Sequence, residues 1–281
     1  MGQKRVAAIH DISCFGKCSL TVALPVISAA GIETSVVPTA VLSTHTADIF
    51  TNFTFRDLTD DLLAIANHWH TMNLHFDAIY TGYLGSIEQV DIVAQMIDLI
   101  SSPDTKIIID PVMADHGKLY TCFSDDFPKA MARLCSKADV IIPNMTEAAF
   151  LLGEPYVQGP YTEEYCADLA QRLCKTLGVK QAVLTGVYFN NKKLGAACVD
   201  NGKTEFIMNQ RIEKLYHGTG DVFGSALVAA LVKGQTLNSA TKTAVEFACA
   251  SIERTILENP NREYGVNFEG ELPLLIKKLG I

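Results

Sequence analysis

The chain has 281 residues, 48% hydrophobic and 19% charged, and a formal net charge of −8. That length and apolar content suffice for a large buried core and argue against a disordered or fibrous chain. Acidic residues outnumber basic ones by 31 to 23, and no basic run exceeds the pairs Lys4-Arg5, Lys192-Lys193 and Lys277-Lys278. Nucleic acid and anionic membrane surfaces are therefore not expected as partners.

Residues 6–9 are the first apolar stretch, too short for a signal-peptide core or a membrane span, and Val6 breaks the myristoylation pattern. A cytoplasmic protein is expected. Eight cysteines are scattered with no C-x-x-C pair, which reads as thiols in a reducing compartment rather than a zinc or dithiol site.

In chain order, short strand-like segments occur at 6–9, 33–41, 78–80, 106–110, 140–142 and 182–185. Helical patterns alternate with them. In 57–72 the apolar set Leu58, Leu62, Ile65, Trp69 and Met72 recurs at spacings of three and four, and 91–100 and 162–177 behave similarly. This order predicts a mostly parallel sheet with helices on both faces. After Thr185 the pattern changes: turn signals at 190–192 and 200–203 predict hairpins joining 181–187, 193–199 and 204–210 as an antiparallel edge. Without a repeat or a Pro/Gly/Ser-rich linker, a single domain over 1–281 is expected.

The most informative segment is His217-Gly218-Thr219-Gly220-Asp221-Val222-Phe223-Gly224, followed by an apolar run to Val232 long enough for a buried helix. Its glycines fall where a loop becomes a helix N-terminus. Unpaired N–H groups and the positive end of the macrodipole suit an anion such as phosphate there. A carboxylate beside phosphate opposes binding, but serves as a base for a hydroxyl attacking that phosphate. Read alone, the segment is equally well a capped helix after a flexible turn.

In an open α/β sheet, ligands bind beyond the carboxyl ends of the strands. Three further strand ends carry polar groups: Asp110-Pro111 with Asp115, Asn144 with Glu147, and Thr185-Gly186. Asn144 and Glu147 have capping-box spacing, and they also set hard oxygen ligands of the kind Mg2+ takes at a helix start.

Together these residues resemble a known family. Asn144-x-x-Glu147 followed by Gly218-Thr219-Gly220-Asp221 is similar to the paired signature of the ribokinase-like small-molecule kinases. Ser43-x-His45-Thr46, Tyr80-Thr81-Gly82-Tyr83 and the segment 110–115 look like their pyridoxal kinase branch. The resemblance runs in order from about residue 6 to residue 255, nearly the whole chain.

It implies a three-layer α/β/α fold, a mostly parallel sheet with antiparallel edge strands, and ATP-dependent phosphorylation of the 5′-hydroxymethyl group of pyridoxal, pyridoxamine or pyridoxine. Asp221 is then the general base, and Gly218, Thr219 and Gly220 form the anion hole for the transferring phosphate. Asp11, His45, Thr46 and Tyr83 line the ring of the substrate. Asp110, Asn144 and Thr185 approach the nucleotide, and Asp110 and Glu147, with Asp115 a further candidate, organise Mg2+. A monovalent cation such as K+ and a homodimer also belong to the implied picture.

Several positions depart from the family pattern. Asp11 replaces a common serine, 16–19 reads Gly-Lys-Cys-Ser where small apolar residues and another glycine are usual, and Ile142 and Gly186 replace hydroxyl residues. Lys17 is expected on an exposed face, and residues 114–122 as a flap over the nucleotide. A hydroxymethylpyrimidine kinase and a non-catalytic nucleotide or vitamer sensor are the alternatives; His45 with Tyr83 argues against the first, and Asp221 against the second.

Overall fold

The computed structural model describes residues 2–46, 49–214 and 216–281. Its strands are β1 (Arg5–Phe15), β2 (Glu33–Thr44), β3 (Phe55–Asp57), β4 (Ala78–Thr81), β5 (Lys106–Ile109), β6 (Ala114–Asp115), β7 (Lys118–Leu119), β8 (Val140–Ile141), β9 (Gln181–Asn190), β10 (Lys193–Asp200) and β11 (Lys203–Gln210). Between them lie α1 (Leu20–Ala29), α2 (Thr59–Thr71), α3 (Ile87–Ile100), α4 (Phe127–Cys135), α5 (Met145–Leu151) and α6 (Glu163–Leu177), and after them α7 (Thr219–Val232), α8 (Leu237–Glu258) and α9 (Leu272–Leu279).

A nine-stranded sheet runs in the order β11-β10-β9-β8-β5-β4-β1-β2-β3. The six central strands from β9 to β2 are parallel, and β10, β11 and β3 are antiparallel additions at the two edges. Alternate strand residues enter opposite layers, as the period of two requires. Ala7, Ile9, Ile79, Ile107 and Ile109 pack with Leu62, Val93, Phe127 and Leu169 of α2, α3, α4 and α6. Val6, Ala78, Tyr80, Ile108 and Val140 pack with Val26, Leu227, Ala244 and Leu275 of α1, α7, α8 and α9. The expected three-layer α/β/α sandwich, with its antiparallel edges, is therefore present.

Two local differences matter. The apolar run predicts a first strand that stops at residue 9, yet β1 continues to Phe15. Beyond Ile9, opposite Thr81, it pairs only with β2, so its second half projects past β4 and carries polar side chains into the space there. The helix expected from residue 57 starts at Thr59, because 55–57 pairs with β2 and the Asp57 carboxylate accepts the Thr59 N–H at 2.7 Å.

Candidate functional site

The strand order sets the position of the site. From β1 the chain steps to β2 on one side, then returns to β4 on the other and continues through β5, β8 and β9. Crossover connections diverge where this direction reverses, which leaves a crevice at the carboxyl ends of the strands. Tyr83, Asp110 and Asn144 lie just beyond the ends of β4, β5 and β8, Asp11 and Thr185 lie level with them on the longer strands β1 and β9, and α7 starts beside them.

Helix α7 is buried over Val222 to Leu231, apolar on every face. A helix of that kind must run through the core. Its first turn is the part that meets the crevice: Thr219 and Asp221 are partly buried and Gly220 is exposed. Gly218 occupies the N-cap position with φ 74°, and no side chain caps the helix. The Thr219 hydroxyl turns back to the Tyr216 carbonyl at 3.3 Å, so it does not occupy the amides of the first turn. The Asp221 carboxyl is pushed up to about 7, chiefly by burial, and the Asp11 charge acts in the same direction. The backbone N–H of Ser19 lies against it and pulls the value part-way down.

β1 has a bulge between His10 and Ile12, and His10 and Asp11, like Val6 to Ile9 before them, are buried because this central strand is covered on both faces. Asp11 accepts hydrogen bonds from the Ser19 hydroxyl at 2.5 Å and the Ser13 hydroxyl at 3.2 Å. Burial raises its pKa, and those two donors oppose the rise. His10 packs edge-on against Tyr80, with ring centroids 4.5 Å apart, and burial lowers its pKa to about 3. It is therefore a neutral wall of the site at physiological pH.

His45 is buried, with its backbone N–H on the Phe15 carbonyl at 3.3 Å. Its ring stands 4.8 Å from that of Phe50 and 5.2 Å from that of His217, and burial followed by His217 lowers its pKa. A Cβ on Gly16 would overlap the His45 ring, so that glycine seats the histidine. The Tyr83 hydroxyl lies 3.4 Å from Cys122 Sγ, and its ring is 5.7 Å from Phe123. Burial first, then Cys122, raises the Tyr83 pKa, and the charge of Asp11 reaches it too. Asp11 thus acts on both Asp221 and Tyr83. Thr46 is exposed at the end of this segment.

On the other side, Asp110 is buried, and its pKa is raised well above the carboxylate range by burial and then by the charges of Glu147 and Asp221. Glu147 forms the anticipated capping box with Asn144. Its Oε2 accepts the Asn144 N–H at 2.9 Å, and its Oε1 accepts those of Met113 at 3.0 Å and Ala114 at 3.5 Å. Even so, burial pushes it up to about 8. Asn144 uses its Oδ1 on the N–H groups of Thr146 and Glu147, and donates from Nδ2 to the Ala114 carbonyl at 2.8 Å. Thr185 sits opposite Asn144 in an isolated parallel bridge and donates its N–H to the Pro143 carbonyl at 2.9 Å.

The segment 114–122 begins as a β6–β7 hairpin closed by His116 and Gly117, both at positive φ as its two-residue turn requires. Asn144, Thr146 and Glu147 tie it to the first turn of α5; Thr146 does so by accepting the Gly117 N–H at 3.0 Å. Asp115 is exposed and its carboxylate contacts His116 Nδ1 at 2.9 Å, while its charge still reaches Glu147. Among the described residues, no group of three His, Cys, Asp or Glu side chains is placed to hold a metal ion alone.

Structure adds Ser19, Thr146, Cys122 and Phe123 to the residues anticipated from sequence. Ser19 reads locally as an ordinary helix cap, and the other three touch the site only through contacts across the fold. Lys17, expected on an exposed face, is partly buried and forms an ion pair with Glu269 over the Phe268 ring.

Comparison with known proteins gives the family. The family model described as phosphomethylpyrimidine kinase matches residues 23–265. The chain belongs to the phosphomethylpyrimidine kinase family. Within it, the chain is a pyridoxal kinase-like member with the ribokinase-like fold, and its family catalyses phosphoryl transfer from ATP to an alcohol.

The hydroxymethylpyrimidine/phosphomethylpyrimidine kinase of Haemophilus influenzae is 26% identical, over 90% of this chain and 92% of its own. A Bacteroides thetaiotaomicron protein assigned to the phosphomethylpyrimidine kinases is 36% identical, with a TM-score of 0.92 over 98% of this chain and 94% of that one. A second crystal form of that protein contains pyridoxal. The pyridoxal kinase of Lactobacillus plantarum is 30% identical, with a TM-score of 0.90 over 98% of both chains. Among the described residues, no helix is long and apolar enough to cross a membrane.

Proposed function

We propose that this chain acts as one kinase domain that transfers the γ-phosphoryl group of ATP to the 5′-hydroxymethyl oxygen of pyridoxal, pyridoxamine or pyridoxine. The observation that carries this reading is the placement of Asp221. Its carboxylate sits at the uncapped start of a buried helix, with a pKa of about 7. A base poised near the working pH is present in substantial part as carboxylate and takes a proton effectively.

The proton balance is simple. Asp221 accepts the hydroxymethyl proton as that oxygen bonds to the γ-phosphorus, and ADP leaves with the electrons of the broken P–O bond. The backbone N–H groups of the 218–220 turn and the α7 dipole face the charge on the transferring phosphoryl oxygens. His45 and Tyr83 offer ring surfaces for a flat heteroaromatic substrate, and Asp11 offers a carboxylate to its polar edge.

For Mg2+, the residues fit in part. Asp110 is a buried carboxylate whose charge is opposed by Glu147 and Asp221, a like-charge strain that a divalent cation relieves. Both Glu147 oxygens already accept N–H groups, so Glu147 would act through bound water. When bound, Mg2+ supplies charge neutralisation to the phosphates, held chiefly by those phosphates and water. Asn144 and Thr185 flank the nucleotide side. We place the enzyme in the cytoplasm and expect a homodimer, with K+ as a candidate monovalent cofactor.

A second reading, a hydroxymethylpyrimidine kinase, is favoured by the family model and by the Haemophilus relative. The pyridoxal-containing Bacteroides homologue, the most similar of the proteins compared above, supports the vitamin B6 reading. Coupled ADP-release assays with Mg-ATP against pyridoxal, pyridoxine, pyridoxamine, hydroxymethylpyrimidine and a sugar panel decide between them. The highest kcat/KM on the vitamers is expected. A higher value on hydroxymethylpyrimidine moves the assignment to the second reading, and no turnover of any of them defeats both.

A further inference from the structure

Ser19 stands at the N-cap of α1, where a serine hydroxyl ordinarily accepts an amide N–H of the first turn. Here it caps nothing. Its hydroxyl donates to Asp11 Oδ1 at 2.5 Å, the two residues before it, Lys17 and Cys18, pack on Gly218 at the start of the helix that carries Asp221, and its own backbone N–H is near enough to the Asp221 carboxylate to lower its pKa. The residue adopts φ 55° and ψ −132°, a conformation in which glycine is at ease and a Cβ is strained. Strain of this kind persists only where its surroundings enforce it, and it concentrates at functional sites. The partners of Ser19 are Asp11 and Asp221, the carboxylates assigned to the polar edge of the substrate ring and to its hydroxymethyl proton.

We propose that Ser19 is a positioning residue: its hydroxyl, anchored on Asp11, holds the backbone in the strained conformation that aims its N–H at Asp221. Orientation of the base is thereby tied to the residue that meets the polar edge of the substrate ring. The inference rests on the reading of Asp221 as the base. The adjoining loop supports it: Lys17 donates its N–H to the Tyr264 carbonyl at 2.9 Å, and the Lys17 carbonyl packs against Gly218. The segment before Ser19 is therefore held from both sides, and the hydroxyl sets the remaining freedom.

Two substitutions separate the parts. Ser19→Ala keeps the strained Cβ and loses the anchor, so residue 19 should relax and its N–H should leave Asp221. Ser19→Gly loses the anchor as well, but tolerates the same backbone conformation. On whichever hydroxymethyl substrate the wild type turns over, kcat should fall by about tenfold or more in the alanine variant. The glycine variant should recover at least half of that loss on a logarithmic scale, while its KM for the ring substrate stays raised and KM for ATP is unchanged in both.

Crystal structures of the two variants give a readout independent of turnover. The glycine variant should keep positive φ at residue 19, and the alanine variant should leave it, with the Asp221 carboxylate displaced. An alanine variant with wild-type kcat, a glycine variant as impaired as alanine, or an alanine variant that keeps both φ and the Asp221 contact overturns the proposal. Absence of turnover in the wild type instead defeats the reading of the site, and the two structures still decide the role of Ser19.

Discussion

Gly218 lies with its α-carbon directly against the carbonyl oxygen of Lys17, so close that a Cβ at Gly218 would overlap it. The turn that starts α7 and the loop that precedes α1 are thus fitted to each other through backbone atoms, which cannot move aside as a side chain does. With φ at 74°, residue 218 is doubly committed to glycine. Gly218→Ala should lower stability by on the order of 2 kcal/mol or more, as expected for left-handed strain plus a backbone clash. Turnover should fall as well. Denaturant unfolding checks the first effect, and a midpoint equal to that of the wild type would contradict the packing described.

Asp221→Asn preserves shape and removes the base. We expect kcat to fall by roughly 10³-fold or more while ATP and pyridoxal bind within about threefold of wild type by calorimetry. Retention of near wild-type turnover would remove Asp221 from the role assigned to it.

The pH profile follows from the same carboxylate. Asp221 must be ionised to accept a proton, and its pKa is raised to about 7 by burial and by the Asp11 charge. Activity on the free enzyme should therefore decline as pH falls through about 7, not through the ordinary carboxylate range. Asp11→Asn removes a negative charge that favours protonation of Asp221, so the acid limb of kcat/KM should move to lower pH. A limb that stays in place would separate the two carboxylates.

Asp11 also bears on substrate choice. A carboxylate there attracts a protonated aminomethyl group more than an aldehyde or hydroxymethyl group. Asp11→Ser should lower the ratio of catalytic efficiency for pyridoxamine over pyridoxal by several-fold, as expected when a buried carboxylate facing a cation is lost. Steady-state kinetics on the two vitamers measures it, and an unchanged ratio means that Asp11 does not read the ring substituent.

Much of this molecule was legible in one dimension. Alternation of short β-branched segments with amphipathic helical patterns is local information, so the parallel sheet, its antiparallel edge near 181–210 and the buried helix after Gly220 followed from residue periods alone. The capping box of Asn144 and Glu147 and the glycine turn before Asp221 were also local, because caps and positive φ depend on neighbours in sequence. The chain's order of motifs then pointed to the family.

Tertiary structure decided what those residues can do. Which oxygens of Glu147 remain available for a cation depends on Met113 and Ala114, more than thirty residues away in sequence. The neutral-range pKa of Asp221 needs burial in α7 together with Asp11 and Ser19 from β1 and the loop after it, some two hundred residues earlier. Ser19 itself looks like any helix cap until its hydroxyl is seen to point elsewhere. Burial, charge coupling and strain are properties of atoms brought together by the fold. Sequence named the groups; only their packing set the protonation and orientation of each one.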